Sequence, residues 1–387
     1  SNCNIIRGGF LYDISTGKKD AIAEYPEGKY AFFTCSKEQK RTNEYTFDTE
    51  ALLVAGNGIV GYTQYFNGKF DAYQRTYVLH NFRKINPSFL KFYVSNNLIT
   101  EVTPKAQGSV IQFIKHDDLR CFNVTVPPND EQKRIAAYLD DQCKKIDEIM
   151  AAIQNQIDTL EDYKKSVISE AVTRGLNPNA KITKSRIFYM APYNNEWYLT
   201  KIGYCCKKLW RTFAPEDTAL ICTNKGKVSV RPEEMTGKMV SEDNAMQGIK
   251  KGDIAIHGMD TWHGSVAYSD YDGKITRVVH VCDSTEDKRF IVYYLQQLAF
   301  NGVYKLISNG IRGNTSDFRS WDKVADIYIA LPKVDEQHQI SDYLDKKCAE
   351  INSIIEDKKA QLEAIENYKK SMIYEYVTGK KEVPENE

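Results

Sequence analysis

Long apolar runs are missing from this chain: none approaches the roughly 18 residues that a membrane-crossing helix needs. Net charge is missing too. Lysine and arginine number 52 and aspartate and glutamate 52, which excludes a protein that grips nucleic acid by bulk charge alone. The nine cysteines include no C-x-x-C pair, and the adjacent Cys205 and Cys206 suit neither a zinc knuckle nor a ready disulfide. Free thiols in a reducing, cytoplasmic setting are the expectation. Histidine is scarce, at six residues, and no His/Cys cluster has metal-ligand spacing, so no metal is expected. The chain starts at Ser1 rather than methionine and carries no signal-peptide pattern, so a trimmed chain is expected.

Catalytic motifs fail one by one. "GNGIVG" at Gly56 matches G-x-G-x-x-G, but "YTQYFNGKF" follows it as strand rather than helix, so no amide cradle for phosphate is formed. No lysine follows Gly61, which removes a P-loop. "NPSF" at Asn86 is similar to the N-P-P-[FY] motif of amino-methyltransferases. It lacks the second proline and any strand-Gly-x-Gly segment for a methyl donor, so Asn-Pro starting a helix is the reading. His257 and His263 flank Asp260 in "HGMDTWHG", where hydrogen-bonding surface histidines fit better than a metal site. A non-catalytic chain without a cofactor is expected.

What is present is repetition. Residues 127–173 and 332–378 align without a gap and share 21 identities in 47 positions, an internal duplication. Asp130, Glu131, Gln132, Ile135, Tyr138, Leu139 and Asp140 recur 205 positions later. So do Cys143, Ile146, Ile149, Gln156 and Glu161, and "YKKS" at Tyr163 returns at Tyr368. Each copy reads as one long helix, N-capped at Asp130 or Asp335 and closed by Gly175 or Gly379. About 45 residues at 1.5 Å each make a rod of roughly 65 Å, which needs another helix to cover its apolar stripe. Ile146, Ile149, Ile153, Gln156, Leu160 and Tyr163 step alternately by three and four. Ile351, Ile354, Lys358, Gln361, Ile365 and Tyr368 do the same, a coiled-coil seam. Gln156 and Gln361 either pin the register or reach to water beside Ile157 and Leu362. Lys144, Glu148, Lys164 and Lys359 are read as a solvated face.

Between the rods lie Gly- and Tyr-rich blocks with short apolar runs. Asn67-Gly68 and Asp272-Gly273 read as hairpin turns, each followed by a lysine, Lys69 or Lys274. A helical piece follows in both blocks, from Pro87 and from Asp287. Gly108 and Phe113 are then matched by Gly313 and Phe318. The chain is therefore expected to be α+β. Two α/β globules (residues 1–127 and 177–332) alternate with two long helices (residues 128–176 and 333–380). The helices pair as an antiparallel coiled coil, the halves form an internal pseudo-two-fold duplication, and residues 381–387 are a flexible tail. Charge follows this division: the globules carry +3 and +4, the rods with the tail −3 and −4. Basic, amide and aromatic side chains interleave in the globules. Lys69, Tyr73, Gln74, Arg75 and Tyr77 form one set. Arg211, His257, His263, Lys274 and Arg277 form another, with Arg312, Asn314 and Arg319 nearby. Arg, Asn and Gln make bidentate contacts to base edges, and lysines serve phosphates.

The rods resemble the conserved regions of type I restriction–modification specificity subunits. The shared phrase is Pro, a polar step, Glu-Gln, Ile, Tyr-Leu-Asp and a long helix ending in Tyr-Lys-Lys-Ser and Val-Thr. It stands at residues 128–140 with 163–173, and again at 332–345 with 368–379. Lys333 departs from the second proline of the family's Pro-Pro step, Arg174-Gly175 departs from Thr-Gly, and the first globule lacks an opening tryptophan like Trp197. The resemblance implies that each globule is a target-recognition domain reading one half of a split double-stranded DNA site. It implies that the rods set the spacing and dock two methyltransferase subunits, with restriction subunits held through them. Two alternatives stay open: a coiled-coil adaptor that binds proteins only, and the specificity protein of a related system in which methylation and cleavage are fused.

Overall fold

The computed structural model describes residues 4–20, 22, 24–102, 113–232, 235, 245–308 and 317–384. The chain forms two compact units. Unit 1 is residues 1–155 with 359–387, and unit 2 is residues 156–358.

The strands of unit 1 are β1 (Asn4–Arg7), β2 (Asp13–Thr16), β3 (Tyr30–Phe33), β4 (Lys40–Thr42), β5 (Phe47–Ala55), β6 (Thr63–Ala72), β7 (Thr76–His80) and β8 (Asn123–Val126). Six of them make one sheet in the order β2-β7-β5-β6-β3-β4, and β1 pairs with β8. The run "ALLVA" in β5 is apolar without alternation because both faces of the sheet are covered. Leu52 and Val54 pack with the helix α1 (Pro87–Val102), while Ala51 and Leu53 join Phe33, Phe70 and Val78 on the opposite face. A short helix α2 (His116–Arg120) precedes β8. Residues 56–61 form the β5–β6 connection, with Gly58 and Gly61 at positive φ, so "GNGIVG" is a turn. Asn67-Gly68 is not a turn. It lies inside β6, opposite Glu50 and Thr49 of β5, because the long pairing of β6 with β5 outweighs the local turn preference.

The rods are α3 (Asn129–Arg174) and, later in the chain, a helix ending at Val377. At about 1.5 Å per residue, the 46 residues of α3 span roughly 69 Å. Both begin one residue before the expected caps, so Asp130 and Asp335 sit in the first turn, where their charge complements the helix dipole. Gly175 and Gly379 do adopt the left-handed conformation, at φ 81° and 72°.

Unit 2 continues with the strands β9 (Ile182–Thr183), β10 (Tyr193–Asn194) and β11 (Tyr198–Lys201), the helix α4 (Ile202–Cys205), and the strands β12 (Cys206–Lys208), β13 (Leu220–Cys222), β14 (Val228–Val230), β15 (Met246–Ile249), β16 (Ile254–His257), β17 (Val266–Tyr268), β18 (Gly273–Thr276) and β19 (Val279–Ser284). The helices α5 (Lys288–Phe300), α6 (Val303–Ile307) and α7 (Trp321–Ala325), the strand β20 (Tyr328–Leu331) and the second rod α8 (Val334–Val377) complete the chain. The central sheet runs β12-β19-β16-β17, flanked by the pairs β13-β14 and β15-β18. Ile254 and Ile256 face a core built with Phe290, Leu295 and Leu298 of α5, while Ala255 and Val281 face the opposite cluster with Leu220 and Ile275. Asp272-Gly273 is not a two-residue hairpin either: β17 pairs with β16 and β18 with β15, and the Asp272 carboxylate accepts from Lys251 N.

Each globule is locked to the start of its rod by a buried glutamine. Gln132 Nε2 donates to Pro127 O (2.9 Å), and its Oε1 accepts from Asn86 N (2.6 Å). Gln337 Nε2 donates to Pro332 O (2.9 Å), and its Oε1 accepts from Asp287 N (3.0 Å). Asn86 and Asp287 in turn cap α1 and α5 through Phe89 N and Phe290 N. These groups are buried or half-buried, and leaving a buried one unpaired costs roughly 1–3 kcal/mol. Two turns further on, Asp140 accepts from Lys91, and Asp345 accepts from Arg289 and Tyr293.

Within each unit the two rod segments touch, and rising numbers on α3 meet falling numbers on α8. In unit 1 the rings of Tyr138 and Tyr376 lie 4.8 Å apart, and Lys369 donates to Asp147 (2.6 Å). In unit 2 Lys358 donates to Gln156 (2.6 Å) and Lys164 to Asn352 (3.0 Å). The apolar stripe is shifted from the expected seam. Ile146, Ile153, Leu160, Ile351 and Ile365 lie on it, but the alternate places belong to Met150, Ile157, Lys164, Ile355, Leu362 and Lys369. Ile149, Tyr163, Ile354 and Tyr368 are 52%, 48%, 46% and 61% exposed, and Gln156 and Gln361 are exposed as well. A one-residue change is about 100° of helix rotation. The stripe was masked in the sequence by lysines that lay their aliphatic stems along it and place the ammonium on a partner. Lys164 thus belongs to the stripe and not to a solvated face.

Candidate nucleic-acid interface

In unit 1 the long pairing of β5 with β6 and of β6 with β3 positions a ladder of rings and cations. The Tyr30 and Tyr45 rings lie 4.9 Å apart. Lys29 Nζ stands 5.5 Å from the Tyr30 centroid and Lys69 Nζ 4.7 Å from that of Tyr45. Lys69 is also 4.0 Å from Asp48. Tyr73, Gln74 and Arg75 form the tight β6–β7 turn. Its backbone is held by Tyr73 N to Phe33 O and Gln74 N to Lys19 O, which leaves the Gln74 and Arg75 side chains exposed. A cavity of about 300 Å³ is lined by Gln74, Arg75, Tyr77, Phe113, Lys115 and His116. Tyr77 is fixed there by donating to Ile114 O. Phe113 is exposed while Phe318, its sequence counterpart, is buried; Gly108 and Gly313 lie outside the described residues.

In unit 2 the candidates separate into two roles. Arg211 is engaged by the fold: Nε and Nη2 both donate at 2.7 Å to the buried Asp253, which also accepts from Lys250 N. A fork spent on a carboxylate is not open to a guanine edge. In this structure the Arg211 fork is therefore committed to Asp253. Lys274 and Arg277 come from β18 and its exit. Lys274 Nζ donates to Pro215 O and lies 5.7 Å from the Phe213 centroid; Arg277 Nε donates to Met246 O, with its guanidinium 5.9 Å from the Trp210 centroid. Lys208 Nζ stands 4.6 Å from that indole. His257 ends β16, accepts from Met259 N at Nδ1, and burial lowers its pKa below the ordinary histidine value, which favours the neutral ring. His263 Nδ1 bonds Asp260 (2.6 Å), which also accepts from Ser265. Among the described residues no group of His, Cys, Asp and Glu is arranged to hold a metal.

Backbone pairing gathers part of this set at one end of the sheet. Gly258 N donates to Val278 O, and Phe318 N donates to Gly258 O. Arg277, His257 and the exposed Arg319 are thereby neighbours in the fold although far apart in sequence. Arg312 and Asn314 lie outside the described residues. The sequence reading missed Trp210, Phe213, Tyr45, Tyr30 and Lys208. A lone exposed ring in a polar stretch carries no periodic signal, and only the fold shows which cations stand over it.

A second kind of surface recurs in both units. A cleft of about 620 Å³ in unit 1 includes Asp140, Cys143, Asp147, Lys369 and Ile373. A cleft of about 470 Å³ in unit 2 includes the residues 205 positions away: Asp345, Cys348, Asn352, Lys164 and Ile168.

These features define an α+β chain with two long helices and faces where cations stand over aromatic rings. Comparison with known proteins adds the following. Residues 10–159 match the type I restriction modification DNA specificity domain. Over that segment the chain is similar to the specificity subunits of type I restriction–modification systems. It is similar to the EcoDI specificity subunit of Escherichia coli, with 35% identity over 176 residues, 46% of this chain and 38% of that protein. It is also similar to the MjaVIII specificity subunit of Methanocaldococcus jannaschii, with 24% identity over 421 aligned positions, 97% of this chain and 92% of that one. The chain thus spans less than half of the E. coli relative in that match. A solved chain from work on complex assembly and conformational transition of the type I R-M system shares the fold, with a TM-score of 0.67 at 13% identity and 97% of both chains covered.

Proposed function

We propose that this chain is the non-catalytic, sequence-specific DNA-binding component of a type I complex, with each globule reading one half of a bipartite duplex site. The observation that carries the reading is that the same contacts are made twice, by residues 205 positions apart. Gln132 and Gln337 make one pair of locks; Lys369 with Asp147 and Lys164 with Asn352 make another. The second pair is crossed: Lys164 and Asn352 are the counterparts of Lys369 and Asp147. That reciprocity is what a pseudo-two-fold duplication requires, and it supports pairing of the rods as an antiparallel coiled coil. A site read as a dimer reads it would have half-sites about one duplex turn apart, roughly 34–36 Å. The domain division follows, with globules at residues 1–127 and 177–332 and spacers at 128–176 and 333–380.

The recurring clefts fit a partner present in two copies, and two methyltransferase subunits are the partners proposed, with restriction subunits attached through them. The exposed Ile149, Tyr163, Ile354 and Tyr368 fit this docking role better than helix pairing, because half of each side chain remains in water. The DNA-contact set proposed is Lys69, Tyr73, Gln74 and Arg75 in the first globule, and Arg211, His257, His263, Lys274, Arg277 and Arg319 in the second, together with Arg312 and Asn314, which lie outside the described residues; within it Arg211 acts mainly through the Asp253 clamp. A neutral chain suits this division of labour, since the partners contribute phosphate-binding charge. Footprinting of the chain assembled with its methyltransferase subunits tests it. Two protected half-sites with an indifferent spacer are expected, with affinity falling steeply from low to high salt. Protection without sequence preference would remove the reading and leave the protein-only adaptor.

A further inference from the structure

Trp210 is 65% exposed, so most of its ring adds nothing to the core. Its direction is nevertheless fixed. Leu209 N donates to Val281 O (2.8 Å) and Arg211 O accepts from Gly248 N (2.9 Å), so the strand is held on both sides of the tryptophan. The Leu209 side chain packs on the cluster of Leu220, Ile249 and Val281, and the Arg211 side chain is clamped by Asp253. Alternation along an extended strand then turns the residue between them outward. Lys208 and Arg277 stand 4.6 and 5.9 Å from its centroid, and Lys274 stands 5.7 Å from that of Phe213. Unit 1 has the same combination, with Lys69 4.7 Å from the Tyr45 ring, and Lys69 and Lys274 are 205 positions apart.

A rigidly aimed ring edged by cations matches one chemistry. Phosphates draw the cations off the ring, and the freed apolar face takes a base or deoxyribose. We propose that Trp210 is the aromatic anchor of the second globule on DNA, packing against a base or sugar face while Lys208 and Arg277 move to the adjoining phosphates. This rests on the DNA-reading function proposed above and adds a residue to it that base-edge chemistry does not find.

The test uses the chain assembled with its methyltransferase subunits and the duplex defined by footprinting. Trp210→Ala is expected to weaken binding about ten-fold, within the range for loss of one aromatic–base contact. Trp210→Phe should keep most of the affinity. The difference in emission between wild type and Trp210→Phe isolates the Trp210 signal, which should be quenched when duplex is added. Scrambling the second half-site should erase the difference between wild type and Trp210→Ala, whereas scrambling the first should preserve it. Wild-type affinity in Trp210→Ala, or a Trp210 emission that duplex leaves unchanged while the complex binds, overturns the assignment. Failure of the wild-type complex to bind any duplex overturns the DNA reading itself.

Discussion

Exchanging residues 177–332 for the corresponding globule of another specificity subunit is expected to change one half of the recognised sequence and leave the other half as it was. Unit 2 has its own core, built from the β16 and β19 faces and α5, and its own cationic face at Trp210, Lys274, Arg277 and Arg319. Its joint to the second rod is the Gln337 lock on Pro332 and Asp287, so the incoming globule must supply an equivalent of Asp287 to fill that lock. Each replaced base pair carries roughly 1–3 kcal/mol of discrimination. A changed half-site therefore moves the protein off its original sequence almost completely. The reciprocal exchange of residues 1–127 should alter the opposite half. Footprints of the two chimaeras, each with methyltransferase subunits, read the result. A shift in both halves from a single exchange would mean that the globules do not read independently.

Arg211→Met is expected to destabilise the chain by about 3 kcal/mol, because it strands the buried Asp253 carboxylate with only the Lys250 amide for company. For a unit of this size that is a drop of roughly 6–12 °C in the midpoint of its thermal transition. Asp253→Asn should cost less, since a neutral amide can be buried without a counter-charge. The double variant Arg211→Met/Asp253→Leu should recover much of the loss, as paired ions replaced together by apolar groups often do. Melting curves followed by circular dichroism give these numbers. If Arg211→Met melted with wild type and lost only DNA affinity, the arginine would be a reading residue and the clamp incidental.

The residues explain why parts of this molecule were legible and others were not. The rods announced themselves because a helix signals every three or four residues, and Gly175 and Gly379 mark their ends through a backbone conformation that few other residues adopt. The stripe along them was misplaced because Lys164 and Lys369 hold apolar-stripe positions that only a cross-helix partner justifies. Asn67-Gly68 carries the strongest local turn signal in the first globule, yet β5 pairs straight across it. The clamp on Arg211 is invisible in the sequence because its partner, Asp253, lies 42 residues on. Trp210 passed unnoticed for the opposite reason: its significance lies in cations brought by other strands.

The central claim is that this chain chooses a bipartite DNA sequence for a methyltransferase. Base-resolution methylation mapping of the host genome, with the gene present and deleted, tests it most directly. The account predicts that one split motif with an indifferent spacer loses its methylation on deletion, while all other motifs keep theirs. A methylation pattern identical in both strains, with the methyltransferase subunits still expressed, would contradict it.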